Sequence, residues 1–289
     1  FSSLPTSHFE MIHSGIPILP SYETDTLHKS IFYAFDHTKF LYRLKNFVRN
    51  VLTVEKDTKN MIQDTDEVIR RHYGDEFPSI SVLGRKVFYE LANSNLILEE
   101  PRLISHRIKF IGGLGYKPAG EIKDKKFLDI LDNCRSGGVV LIVFGSQVPS
   151  SHFPPHVISA FLHSIRILDE FTFIWKFDGS LVDAPSNLHL VDWLPQNDLL
   201  QDSRVVAFIS HMGMNSFLES SYSGVPIVAI PLFADQTHNG FNVARLGNGV
   251  VLSKTQISNE TMETAMRSVI MEEKYRRRAK EIAEMIKLQ

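Results

Sequence analysis

Between residues 139 and 230 the chain repeats one pattern: a short, mostly apolar run, a polar turn, then a helical stretch. The runs are 139–144, 171–177, 188–193, 205–209 and 225–230. A strand with one wet face alternates apolar and polar residues. A strand apolar at successive positions is covered on both faces. Such strands, separated by helices, build a parallel sheet with helices on both sides. The pattern predicts an α/β, Rossmann-like domain. A helix is predicted over 156–168. Another starts after Ser258, a suitable N-cap with Glu260 in the first turn. Further on, Tyr275, Ala279, Ile282, Ala283 and Ile286 form a helical stripe, and Arg276-Arg277-Arg278 beside it form a solvated face.

The first third is less regular. Residues 27–47 carry Phe32, Phe35, Phe40, Leu41, Leu44 and Phe47 at helical spacing, which predicts an amphipathic core helix in preference to a membrane-surface one. Helices are also predicted over 64–73 and 80–91, and short strands at 96–98 and 110–111. Residues 112–126, rich in Gly, Lys and Pro, form a linker. The chain thus divides into 1–116 and 117–289. With 289 residues, 43% apolar, and a net charge of −2, it has the length for two domains and no basic excess for nucleic acid. Cys134 is the only cysteine, so no intrachain disulfide forms. No apolar run approaches the ~20 residues that span a bilayer.

Turns between a parallel strand and the next helix expose free amides at the positive end of the helix dipole, where phosphates bind. The polar residues fall in those turns. Gly145-Ser146 follows the first run. Ser210, His211, Met212, Gly213, Met214, Asn215 and Ser216 follow the fourth and open a helix that carries Glu219 one turn on. Asp235-Gln236 follow the fifth. Trp193 ends the third run, ahead of Pro195-Gln196; composition alone leaves both a core indole and a stacking platform open. His152 and His156 have zinc-like spacing, but Pro154-Pro155 intervene and no third ligand is near, so no metal is expected.

The segments WxPQNDLL, FISHxGxNSxxE and GVPxxxxPLFADQxxN, at 193–239, resemble the signature of the UDP-glycosyltransferases. The animal, UDP-glucuronosyltransferase-like branch is the closer match, because plant relatives usually lack the NDLL continuation. The likeness extends loosely to Pro20-Ser21-Tyr22 and to FIGGL at 110–114. It implies a GT-B type fold: a complete C-terminal, Rossmann-like donor domain (117–289) and the latter part of an N-terminal acceptor-side domain (1–116). Trp193 would stack on uracil, and Gln196 and Glu219 would take the ribose hydroxyls. Ser146, Ser210, His211, Gly213, Asn215 and Ser216 would surround the diphosphate, with His211 giving a hydrogen bond or a positive charge. Asp235 and Gln236 would hold the transferred sugar, with Asn239 nearby. Arg102 is a candidate partner for a glucuronate carboxylate.

The resemblance also implies the chemistry: inverting transfer of glucuronate or glucose from a UDP-sugar to a small lipophilic acceptor, with no metal or other cofactor. The alternative is a non-catalytic nucleotide-binding module. The family's basic histidine maps onto no residue here and is expected upstream of Phe1. A membrane-spanning tail is expected beyond Gln289, which would place the parent protein on the luminal side of the endoplasmic reticulum membrane. Self-association into a homo-oligomer is left open. One position departs from the pattern: the family usually has Gly where this chain has Met212. If that turn needs positive φ, Met there costs on the order of 1 kcal/mol.

Overall fold

A computed structural model describes residues 8–23, 38–118 and 120–288. The chain forms two compact units, Phe1–Gly112 and Gly113–Gln289.

In the first unit, α1 is His8–His13, α2 Phe40–Arg49, α3 Glu55–Tyr73 and α4 Ile80–Lys86. A π turn, Asn50–Val54, joins α2 to α3 without a break in helical backbone. Strands β1 (Glu90–Ala92) and β2 (Ile108–Phe110) pair in parallel, and Met11, Ile16, Ala92 and Ile108 make a small core. Three expectations are corrected here. First, the core helix over 27–47 is described only from Thr38. There Phe40, Leu41, Leu44 and Phe47 point outward, and the buried residue of α2 is Asn46. Asn46 and Asn50, one turn apart, donate to the Pro20 and Glu23 carbonyls at 2.7–3.2 Å. Satisfying those buried carbonyls outweighs the apolar stripe in setting which side faces inward. Residues 27–37 of that expected helix lie outside the described residues. Second, the helix expected over 80–91 stops at Lys86. Arg107 donates to the Gly84 carbonyl at 3.1 Å and through Nε to Val87 at 3.1 Å, serving a helix end that lacks internal partners. Third, residues 96–98 form a turn, and the strand is β1.

The second unit opens with α5, Lys125–Asp132, capped by the Asp124 side chain on the Lys126 amide. Then follow β3 Val139–Val143, α6 Pro155–Ile167, β4 Thr172–Lys176, β5 Leu188–Val191, α7 Gln196–Leu200, β6 Val205–Ser210, α8 Met214–Ser223, β7 Ile227–Ala229, α9 Gln236–Leu246, β8 Gly249–Val251, α10 Asn259–Met271 and α11 Glu273–Lys287. The six strands are all parallel, in the order β5-β4-β3-β6-β7-β8. The chain winds outward from β3 to β5, returns to β6 beside β3, and winds out the other way. That reversal makes the β3/β6 boundary a topological switch point, and ligands bind at the carboxyl ends of the strands there.

Every residue of β3 is buried. Val140 and Ile142 cluster with Phe173 and Trp175 from β4 and with Phe161, Ile165, Met262 and Met266 from α6 and α10. Val139, Leu141 and Val143 point the other way and are buried as well. Coverage on both faces is what the unbroken apolar runs require. Ser258 caps α10 as expected, reciprocally with Thr261. Arg276 and Arg277 are exposed, whereas Arg278 is half-buried and donates to the Leu246 carbonyl at 2.8 Å, closing the end of α9.

Candidate nucleotide site

The polar turns meet at the carboxyl edge of this sheet. An open cleft of ≈ 590 Å³ has Gly145 and Ser146 beyond β3, Lys176 at the end of β4, Trp193 beyond β5, and Gln196 and Glu219 on its walls. Trp193 is 73% exposed, so it is not the core indole; that role belongs to Trp175, at 0%. The Lys176 ammonium sits 4.8 Å from the centre of the Trp193 ring and donates to the Gly145 carbonyl at 3.0 Å. A cation over an indole is attracted to its negative face and braces the ring in one orientation.

Gln196 opens α7 and reaches across to α8. Its Nε2 donates to Glu219 Oε2 at 2.7 Å and to Ser216 Oγ at 3.3 Å. Burial raises the Glu219 pKa, the Gln196 hydrogen bond opposes the rise, and Asp198 adds to it. The carboxylate is thus held in place and short of hydrogen-bond donors. A vicinal diol would supply two.

His211 lies behind the Ser146 turn. A Cβ on Gly145 would come within 2.8 Å of its Nε2, and one on Gly213 within 2.9 Å. The imidazole therefore fits only between two glycines, and Gly145 also has φ +77°. Burial pushes the His211 pKa down to about 4, Lys176 lowers it further, and a hydrogen bond at the Val143 backbone opposes. The ring is neutral at pH 7. Of the two roles expected of His211, the ligand-free ring is set for the hydrogen bond, and Lys176 is a cation nearby. Ser210 is fully buried. Its Oγ accepts the Met212 amide and lies 3.3 Å from His211 Nδ1, so it shapes the turn.

Met212 has φ +63°, the left-handed conformation that its departure from glycine called into question. The turn holds nonetheless. The Met212 side chain is buried, and its carbonyl accepts Asn239 Nδ2 at 2.9 Å. Gly213 is the N-cap of α8 and gives no side-chain cap, so the first amides of α8 depend on other groups. Asp235 takes the Met214 amide. Its pKa is raised by burial, against hydrogen bonds from Asn239 (3.0 Å) and the backbone. Asn215 is exposed and Ser216 buried. The Gln236 amide oxygen accepts the Leu232 and Phe233 amides at 2.8 and 3.1 Å, fixing the loop that presents Asp235.

Ser146, Trp193, Gln196 and Glu219 thus share the cleft wall. His211 packs on Gly145, Ser216 joins through Gln196, and Asp235 joins through Met214. Arg102 belongs to the first unit, where its side chain is 4% exposed and pairs with Glu99 at 3.8 Å. Sequence reasoning passed over Lys176. The signal was available: it is the one charged residue in the run TFIWKF at 172–177.

A six-stranded parallel sheet with an aromatic plate and a carboxylate on the wall of a cleft at its switch point defines a doubly wound α/β domain. The chain belongs to the UDP-glucoronosyl and UDP-glucosyl transferase family, which matches residues 2–289. It is 33% identical to bovine (Bos taurus) UDP-glucuronosyltransferase 3A1, over 85% of this chain and 48% of that protein. It is 31% identical to a putative UDP-glucuronosyltransferase of Caenorhabditis elegans, ugt-50, over 94% of this chain and 53% of that one. The chain spans about half the length of the curated relatives it matches. Among solved structures, rice (O. sativa) Os79 in complex with U2F and trichothecene aligns with TM-score 0.54 at 27% identity, covering 63% of this chain and 45% of that one. The glycosyltransferase of kitacinnamycin aligns with TM-score 0.65 at 18% identity, covering 84% and 63%, and shares the GT-B type α/β fold.

Proposed function

We propose that the second unit binds a UDP-sugar and that the parent protein transfers the sugar, with inversion, to a small lipophilic acceptor. The carrying observation is that Trp193, Ser146, Gln196 and Glu219 line one open cleft at the switch point. Uracil stacks on the braced Trp193 indole, and the ribose diol bonds Glu219 and Gln196. Ser146, His211 and the Asn215 and Ser216 amides of α8 meet the diphosphate. As the sugar–phosphate bond breaks, negative charge grows on the UDP oxygens. Fixed dipoles and the Lys176 ammonium stabilise that charge without a metal. Asp235 and Gln236 orient the sugar. The acceptor hydroxyl loses its proton to a base as it attacks; no residue of the cleft is assigned that role. Glucuronate and glucose both remain within the proposal, and the parent protein is placed at the endoplasmic reticulum membrane, facing the lumen. Among the described residues, no helix is long and apolar enough to cross a membrane.

Calorimetric titration of this chain with UDP tests donor binding: heat is expected, and its absence at millimolar UDP sinks the reading. A radiolabelled UDP-sugar with a phenol acceptor, applied to the full-length protein, separates a transferase from a module that only binds.

A further inference from the structure

Asp198 is electrostatically misplaced in a cleft for a diphosphate. Its carboxylate would repel that ligand, yet it stands on the cleft wall. Its hydrogen bond supplies the reason. Asp198 Oδ1 accepts the Gly120 amide at 2.9 Å. Two neighbours hold the same stretch of chain: Asn197 Nδ2 and Gln201 Nε2 donate to the Lys117 carbonyl at 3.0 and 3.2 Å. Just before it, the Tyr116 ring stacks on Tyr222 of α8 with centroids 4.6 Å apart. Lys117, Pro118 and Gly120 belong to no helix or strand, and all three line the cleft. Backbone outside regular structure stays in place only where other groups take its donors and acceptors.

We propose that Asn197, Asp198 and Gln201 are positioning residues: they fix Lys117, Pro118 and Gly120 as a wall of the nucleotide cleft, and affinity for a nucleoside diphosphate depends on that wall. The proposal rests on the donor-binding reading above. It gives the run Gln196 to Leu200 a division of labour. Gln196 orients Glu219, Asn197 and Asp198 hold the strap, and Leu199 and Leu200, both buried, anchor the short helix.

The test titrates UDP into the parent chain, Asp198→Ala and Asp198→Asn, and follows hydrogen exchange at the Gly120 amide. Asp198→Ala is expected to raise the Kd roughly tenfold and to speed that exchange, as loss of one structural hydrogen bond allows. Asp198→Asn keeps an oxygen acceptor and removes the repulsive charge, so protection is expected to stay near parental and affinity to stay at or above the parental value. If Asp198 acted through its charge, Ala and Asn would behave alike, and that result overturns the proposal. An unchanged Kd in Asp198→Ala, with the parent binding UDP, overturns this proposal alone. A parent that does not bind UDP overturns the donor reading and the proposal with it.

Discussion

Met212 and His211 are adjacent, and opposite physical terms govern them. A left-handed Met costs about 1–2 kcal/mol that glycine would not pay. The Met212 side chain is also fully buried, and truncating a buried Met costs about 2–5 kcal/mol. Burial outweighs strain, so Met212→Gly should lower stability by a few kcal/mol in urea unfolding, although it restores the family's usual residue. For His211 the folded pKa of about 4 lies below the ordinary 6.5, so the unfolded chain takes up a proton that the folded chain refuses. Stability from this group is complete above pH 6.5 and is lost as pH falls toward 4. His211→Gln removes the titration, and the slope of stability against pH in that window should become shallower. Glu219 shifts the other way. Its raised pKa means that the ionised form needed by a ribose diol disappears at a higher pH than for an ordinary glutamate. UDP affinity should therefore fall early on the acid side, and Glu219→Gln should flatten that dependence in a series of calorimetric titrations.

Among the elements, α10 shows how short-range chemistry sets a boundary. The Ser258 hydroxyl accepts the Thr261 amide at 3.2 Å, and the Thr261 hydroxyl accepts the Ser258 amide at 2.9 Å. Ser258→Ala removes one side of this exchange and should cost about 1 kcal/mol, with Ser258→Asp recovering most of it, as read by thermal melting. The Ser258 cap was visible in the sequence because its hydrogen bonds span three residues. The reversal of α2, the end of α4 and the strand β1 were not. Each depends on a partner far along the chain: Asn46 on Pro20 and Glu23, Gly84 on Arg107, Glu90–Ala92 on Ile108–Phe110. Strand β8 was missed for a related reason. Three residues carry no periodicity, and Gly249–Val251 is a strand only because β7 lies beside it.

At the scale of the whole molecule, the chain divides into two compact units, and the proposed ligand belongs to the second. UDP at about 100 times its Kd adds about 2.7 kcal/mol to the state that binds it. The melting transition of the second unit should rise by roughly 5–10 °C. Trp193→Ala should abolish most of this rise while leaving the ligand-free melt unchanged, because the indole is 73% exposed and supports no core.

The sequence by itself determined the parallel sheet, its order of runs and turns, and the identity of the polar residues at its carboxyl edge. Those properties follow from which side chains avoid water and which turns leave amides free, and both are local. Tertiary structure alone decided that His211 is neutral, that Ser210 points inward, that Lys176 braces Trp193, and that the stretch after Gly113 is tied to Asn197 and Asp198. Each of these depends on burial, or on a distance between groups that the chain brings together only by folding.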